Sequence, residues 1–138
     1  MKKKELTNKI YYFPKLERSE IYDYYSICDV LVLPRPHSIA TEIAAPTKFA
    51  EYCSMKKPIL TSNVGDAADL IKRYNCGIVV ENNDPEKLLE GILKFKNINN
   101  NDLKRMIKGS EELSKNEFDW NNIKDDFLDA INSLKPSP

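Results

Sequence analysis

Apolar and polar positions alternate along the chain with two different periods. Four short apolar runs have the length of strands, and they lie at residues 10–13, 29–33, 58–61 and 78–80. The second run ends in four consecutive apolar residues, as expected of a strand that is covered on both faces. Proline follows the first two runs, where it ends a strand because it lacks an amide donor.

Between and after these runs, apolar residues recur at spacings of three and four, which predicts helices. The predicted helices cover residues 18–27, 46–56, 66–74, from 84 to a linker at 97–101, from that linker to about 114, and from about 120 onward. Asp66 is the predicted N-cap of the third helix, and Gly77 is its predicted stop. The last helix carries a predicted core stripe of Trp120, Ile123, Phe127, Ile131 and Leu134.

Strand-like runs that alternate with helical stretches are typical of α/β proteins. The sequence therefore predicts a Rossmann-like parallel sheet with flanking helices. Such sheets bind ligands beyond the carboxyl ends of their strands, so the loops at residues 14–17, 34–45 and 62–66 should carry the site. The 138 residues are enough for one domain and too few for two of ordinary size.

Charge and the N-terminal sequence narrow the choice of partners. Lys and Arg total 21, Asp and Glu also total 21, and the formal net charge is zero. Nucleic acid is not expected as a partner, because proteins that bind its backbone normally carry a basic excess. The N-terminus holds no apolar stretch long enough for a signal peptide or a membrane span. We therefore expect a cytoplasmic protein, with peripheral contact at the inner membrane surface left open.

Cysteine and histidine offer little chemistry. Cys28, Cys53 and Cys76 are far apart and form no CxxC pair, whereas a zinc site or a disulfide framework needs paired ligands. Reduced, buried thiols and no metal are expected instead. His37, the only histidine, is expected to be a solvated loop residue, with a role as catalytic base as the alternative.

The stretch Ala45-Pro46-Thr47-Lys48 opens a helix directly after the longest loop. Free amides and the helix dipole favour an anion at such a start, and Thr47 and Lys48 add a hydroxyl and a positive charge. Glu51 lies on the same side of the helix as Lys48, where a carboxylate could accept hydrogen bonds from vicinal ribose hydroxyls. The alternative is a surface ion pair between Lys48 and Glu51, worth about 0.2–0.5 kcal/mol.

The chain resembles the C-terminal domain of retaining GT-B glycosyltransferases of family four. The resemblance rests on eight segments in the family's order, at residues 10–13, 25–34, 46–51, 57–62, 63–65, 76–80, 84–88 and 117–120. It implies the donor-binding part of a GT-B fold, and transfer of a hexosyl group from a UDP- or GDP-sugar to a glycan or lipid-linked acceptor. It implies no metal and no other cofactor.

The resemblance also implies roles for individual residues. Glu51 matches the second Glu of the family's Glu-x7-Glu pattern and should hold the donor ribose. Lys48, with the backbone of Ala45, Pro46 and Thr47, should face the diphosphate or the sugar. The segment that should approach the base consists of Pro14, Lys15 and Leu16. No residue of the chain is assigned a catalytic role.

Some positions depart from the family. Its first Glu would fall at Ile43, with Glu42 one place away, and Lys56 and Asp66 stand where glycines are usual. The acceptor-binding N-terminal domain has no counterpart, nor do two strand–helix units that carry a basic pair for the diphosphate. The absent strands would leave an unpaired apolar edge along the run 29–33. We therefore expect an incomplete domain that is poorly soluble, oligomeric through this edge, or completed by the missing part as a separate chain.

Other functions stay open at this stage. A non-catalytic remnant or accessory nucleotide-sugar-binding module would keep the fold without the chemistry; the absent half favours it, and the retained Lys48 and Glu51 speak against it. A sugar-nucleotide epimerase of the same fold would act without an acceptor. A phosphoacceptor response-regulator domain does not fit, because no paired acidic cluster follows a first strand.

Overall fold

A computed structural model of the chain describes residues 9–81 and 84–134. The centre of the fold is a parallel sheet of three strands, β1 (Leu31–Leu33), β2 (Ile59–Ser62) and β3 (Gly77–Val80), in that order. Leu33 lies opposite Thr61, and Thr61 lies opposite Val79. The predicted α/β class with a parallel sheet is confirmed, and the runs at 29–33, 58–61 and 78–80 supply the strands.

Helices surround the sheet: α1 (Arg18–Ile27), α2 (Ile39–Ile43), α3 (Thr47–Ser54), α4 (Gly65–Tyr74), α5 (Pro85–Lys96), α6 (Asn100–Leu113), a π-helix (Ser114–Phe118) and α7 (Trp120–Ser133). Helix α2 lies inside the segment predicted as a loop, where Ser38 Oγ caps it by accepting the amide of Thr41. None of the helices in the described residues combines the length and the apolar content that crossing a bilayer requires.

Strand β2 is the centre of the core because both of its faces are covered. Ile59 on one face has no exposed surface and belongs to a cluster that includes Phe49 and Cys53 of α3. Leu60 is equally buried, and α5 approaches so closely at Gly91 that an added Cβ would lie 2.6 Å from Leu60 Cδ1. Each such buried apolar side chain contributes about 1.5–3 kcal/mol, so the core fixes α3 firmly on the sheet.

Residues 10–13 do not form a strand, which corrects the sequence prediction. They lie in an irregular segment, and their side chains are largely exposed. The Phe13 ring packs on α1, with its centroid 4.6 Å from that of Tyr24. A strand takes its hydrogen bonds from a neighbour, and no strand of the described residues lies beside this segment.

The edge of β1 away from β2 has no strand partner among the described residues. Among the described strands β1 pairs with β2 alone, and Val32 keeps 40 % of its surface exposed. The run 29–33 is therefore covered on one face and not on both as predicted. The expected unpaired edge along this run is present in the described part of the chain, and such an edge favours pairing with another polypeptide.

The apolar stripe of α7 is not part of the core, which corrects a second prediction. Trp120 is 57 % exposed, and Phe127, Ile131 and Leu134 are exposed as well. The rings of Trp120 and Phe127 pack on each other with centroids 5.6 Å apart. The periodicity predicted the helix correctly, but burial also requires another element that faces the stripe.

The ends of α4 differ from the prediction. Asp66 does not cap this helix, which begins one residue earlier at Gly65. Asn75 ends it in the left-handed conformation, with φ 49°, and Gly77 is instead the first residue of β3. At the start of α5, Asp84 is the N-cap, and its carboxylate accepts the amides of Glu86 and Lys87.

Lys56, which stands where the family usually has glycine, lies in the turn between α3 and β2. Lys56 adopts φ 54°, a left-handed conformation that glycine reaches without steric cost. Its Nζ lies 2.8 Å from Glu111 Oε1 of α6, so the lysine ties this turn to α6.

Candidate functional site

The segment between β1 and α3 is an ordered structure. The Arg35 amide donates to Ser62 Oγ at the end of β2 (3.0 Å), and Arg35 Nη2 donates to the carbonyl oxygen of Ala44 (3.1 Å). Thr41 Oγ1 donates to the carbonyl oxygen of Pro36 at 2.6 Å. Arg35 therefore links the two ends of the segment that leads into α3.

The start of α3 has no side-chain cap. Pro46 occupies the N-cap position with φ −74°, and its carbonyl oxygen accepts the Phe49 amide at 2.9 Å. Thr47 is the first helical residue. The first amides of the helix thus find no side-chain acceptor in the described residues, and this end keeps the partial positive charge of the helix dipole.

Lys48 adds a full charge to this helix start. Its side chain is exposed, and no carboxylate oxygen of residues 9–81 and 84–134 lies within 4.0 Å of its ammonium. The alternative of a surface ion pair with Glu51 is therefore wrong. A cation at the positive end of a helix costs about 0.3–1 kcal/mol, and an anion bound there would offset that cost.

Glu51, one turn further along α3, contacts α1. Tyr25 Oη donates to Glu51 Oε2 at 3.4 Å, and the Tyr25 ring meets that of Tyr52 edge-on with centroids 5.1 Å apart. Burial, followed by the neighbouring Tyr52 and Glu51, raises the pKa of Tyr25 to about 12. Tyr25 is therefore a neutral donor at physiological pH, while Glu51 Oε1 accepts no hydrogen bond from the described residues.

A cavity of about 350 Å³ lies beside the start of α3, between α3, α4 and the π-helix. It brings together three of the predicted donor-binding residues, Ala45, Pro46 and Thr47. Lys48 and Glu51 do not line it, whereas the carboxylates of Asp66 and Glu117 do. Glu117 is itself engaged by Arg73 Nη1 at 3.4 Å and by the Tyr74 hydroxyl at 2.7 Å. The cavity therefore has an acidic lining and does not contain the predicted lysine.

A second cavity, of about 280 Å³, lies at the carboxyl ends of all three strands. Arg35 and Ser62 line it, so the loops after β1 and β2 meet there as the sequence predicts. The third contribution comes from the segment after β3, through Glu81 and Asp84, and not from residues 14–17. Arg35 Nη1 is buried and has no hydrogen-bond partner among the described residues.

The predicted base-binding residues precede α1. Pro14 and Lys15 are exposed and Leu16 is half-buried. Lys15 Nζ lies 3.9 Å from Glu17 Oε1, and the segment lines neither of the two cavities. Helix α1 follows this segment and carries Tyr25, which contacts Glu51 of α3. Binding of the base here stays a prediction.

Glu42, one position before the place of the family's first Glu, contacts α4 and His37. Ile43, which occupies the family position, is 79 % exposed. Glu42 Oε2 accepts the Gly65 amide of α4 at 2.8 Å, and Oε1 lies 3.1 Å from His37 Nε2. His37 is an exposed residue beside Glu42, in agreement with the predicted solvated loop histidine.

The three thiols are free, with Cys53 and Cys76 buried and Cys28 half-buried. Burial raises the pKa of Cys53 to about 12 and that of Cys76 to about 11. Both therefore stay protonated and are poor nucleophiles. In the part of the chain that the structure describes, no group of His, Cys, Asp and Glu side chains is placed to hold a metal ion.

Two contacts of the site were missed in the sequence. The periodicity placed Tyr25 on the inner face of α1, but it could not show the Glu51 carboxylate 26 residues away. The offset of Glu42 from the family pattern does not reveal its bond to Gly65, which joins two helices. The one available signal was the Gly at position 65, since glycine often marks a close backbone approach.

The fold is similar to that of sucrose-phosphate synthase from Thermosynechococcus elongatus, with a TM-score of 0.69 and 17 % sequence identity. The similarity covers 94 % of this chain and 31 % of the synthase, so the chain spans less than a third of that protein's length. No curated protein matches the chain. The family described as glycosyl transferases group 1 matches residues 1–113, which is most of the sequence. The chain therefore belongs to the glycosyl transferases group 1 family.

Proposed function

We propose that the chain is the donor-binding part of a glycosyltransferase that transfers a hexosyl group from a UDP- or GDP-sugar to a glycan or lipid-linked acceptor. One observation carries the proposal: Lys48 stands at an uncapped helix start without a counter-charge in the described residues. Membership of the family supports glycosyl transfer in general, and the donor and acceptor belong to the proposal.

The diphosphate would bind at the start of α3. The amides there lack side-chain acceptors, the helix dipole favours an anion, and the Lys48 ammonium adds a charge-assisted hydrogen bond. Thr47, with its exposed hydroxyl, and the backbone of Ala45 and Pro46 would surround the phosphates or the sugar. Phosphate binding at this end would balance a charge that residues 9–81 and 84–134 leave uncompensated.

The ribose would bind to Glu51. Tyr25 holds Oε2 of this carboxylate, and Oε1 is available to accept hydrogen bonds from vicinal hydroxyls. Because the Tyr25 hydroxyl stays neutral, it orients the carboxylate without neutralising it. The base would then lie toward Pro14, Lys15 and Leu16, at the other end of α1.

The remaining requirements of glycosyl transfer would be met by the rest of the transferase. We propose that it carries the acceptor site and the basic residues that stabilise the leaving diphosphate, and that it covers the free edge of β1 at Val32. Such positioning and charge stabilisation account for much of the rate of group transfer.

Calorimetric titration of the chain with UDP and with GDP tests the proposal. One nucleotide should bind, and Lys48→Ala and Glu51→Gln should each weaken it about tenfold or more, because hydrogen bonds to charged groups contribute about 1.5–3 kcal/mol. Lys104→Ala is the matched control, since Lys104 is an exposed lysine within α6. Equal affinities for all variants, or no binding of either nucleotide, would contradict the assignment.

Turnover separates the proposed transferase from the two alternatives. Adding the complementary transferase part and an acceptor to the chain should give a glycosylated product. A changed sugar nucleotide without acceptor would indicate an epimerase. Tight nucleotide binding with no product under either condition would indicate an accessory binding module.

A further inference from the structure

The carboxylate of Glu42 joins two helices that flank the strand ends. Glu42 belongs to α2, and its Oε2 accepts the amide of Gly65, the first residue of α4, at 2.8 Å. This amide is one of those that a helix start leaves without an intrahelical partner, and the negative charge lies at the positive end of the α4 dipole. Glu42 therefore caps α4 from a different helix.

The backbone of α2 also lies close to the first residue of α4. A Cβ on Gly65 would lie 2.9 Å from the carbonyl oxygen of Glu42 and 3.3 Å from that of Thr41. Gly65 also adopts φ +62°, which side chains rarely tolerate. Helices α2 and α4 are thus closely packed where Glu42 meets Gly65.

The junction lies immediately before the candidate site. Only four residues separate Glu42 from the first residue of α3, Thr47. Arg35 also contacts this short connection, because its Nη2 donates to the Ala44 carbonyl oxygen. With α2 fixed on α4 and Ala44 fixed by Arg35, the path of the chain into α3 is determined from both sides.

We infer that Glu42 is a positioning residue, which fixes the start of α3 by docking α2 on α4, and that it is not a ligand of the donor sugar. The inference rests on the proposed function where it concerns the nucleotide. Oε2 of Glu42 is engaged by the Gly65 amide, and Oε1 lies 3.1 Å from Nε2 of the exposed His37. The effect of Glu42 on a nucleotide bound at Lys48 is therefore transmitted through the backbone of α3.

Amide hydrogen exchange tests the docking without any nucleotide. Glu42→Ala should speed exchange at Gly65 and at Phe49, whose amide bonds the Pro46 carbonyl, at least tenfold, and should leave Leu60 in β2 unchanged. Glu42→Gln keeps a carbonyl acceptor and should restore most of the protection. Unchanged exchange at Phe49, or equal acceleration at Leu60, would overturn the inference, since the first shows no docking effect and the second a global one.

Nucleotide binding distinguishes a positioning residue from a sugar ligand. Glu42→Ala should weaken bare UDP or GDP and UDP-glucose or GDP-mannose by the same factor, about tenfold. In a Lys48→Ala background the same change should weaken them by less than threefold, because both substitutions affect one interaction. A loss confined to the sugar nucleotides, or full additivity with Lys48→Ala, would overturn the inference. If the native chain bound none of these nucleotides, the proposed function would be overturned. The exchange measurement would still show whether Glu42 docks α2 on α4.

Discussion

Replacing Gly65 tests the junction that leads into the candidate site. In Gly65→Ala the new Cβ would meet the Glu42 carbonyl oxygen at 2.9 Å in a residue held at φ +62°. The left-handed conformation costs a non-glycine residue about 1–2 kcal/mol. The steric overlap adds about 1–3 kcal/mol. The lower entropy of the unfolded chain returns about 0.4–1 kcal/mol.

The expected net loss of unfolding free energy is about 1–4.5 kcal/mol, or a fall in Tm of roughly 3–16 °C for a chain of this size. Gly65→Asn separates the two causes, because asparagine tolerates the left-handed conformation but carries the same Cβ. It should lose about 1 kcal/mol less than Gly65→Ala. Urea and thermal unfolding followed by circular dichroism measure both values. A Gly65→Ala chain as stable as the native chain would refute the close approach of α2 and α4.

Two further predictions concern titratable groups. With a thiol reagent at pH 8, at most Cys28 of the native chain should react, because burial raises the pKa of Cys53 to about 12 and that of Cys76 to about 11. All three thiols should react in urea. Fast labelling of three thiols in the native chain would contradict the burial of Cys53 and Cys76. Ultraviolet titration should show a component near pH 12 that is lost in Tyr25→Phe and kept in Tyr11→Phe, the exposed control. Because the folded pKa of Tyr25 lies above the ordinary value of 10.0, its contribution to stability should be complete below pH 10 and lost between pH 10 and about 12. If Tyr25→Phe removed a component near pH 10 instead of the late one, the burial of Tyr25 and its contact with Glu51 would be contradicted.

Local patterns identified most elements of this fold. The apolar runs 29–33, 58–61 and 78–80 became strands because their neighbours in sequence are helices that return the chain in parallel. The cap at Asp84 and the periodicity of α1 and α3 were equally readable, since they depend on residues within one or two turns. The segment 10–13 carried the same apolar signal and formed no strand, because pairing depends on a neighbour that a run of residues does not specify.

The sequence by itself determined the class of the fold, its family and the placement of Lys48 and Glu51 on one helix, because spacing along a helix fixes which side chains share a side. Only the tertiary structure decided that Lys48 lacks a counter-charge in the described residues, that Tyr25 holds Glu51, and that Glu42 caps α4. It also decided that the stripe of α7 is exposed. These outcomes depend on contacts between residues far apart in the chain, where the distance between two groups is set by how whole elements pack.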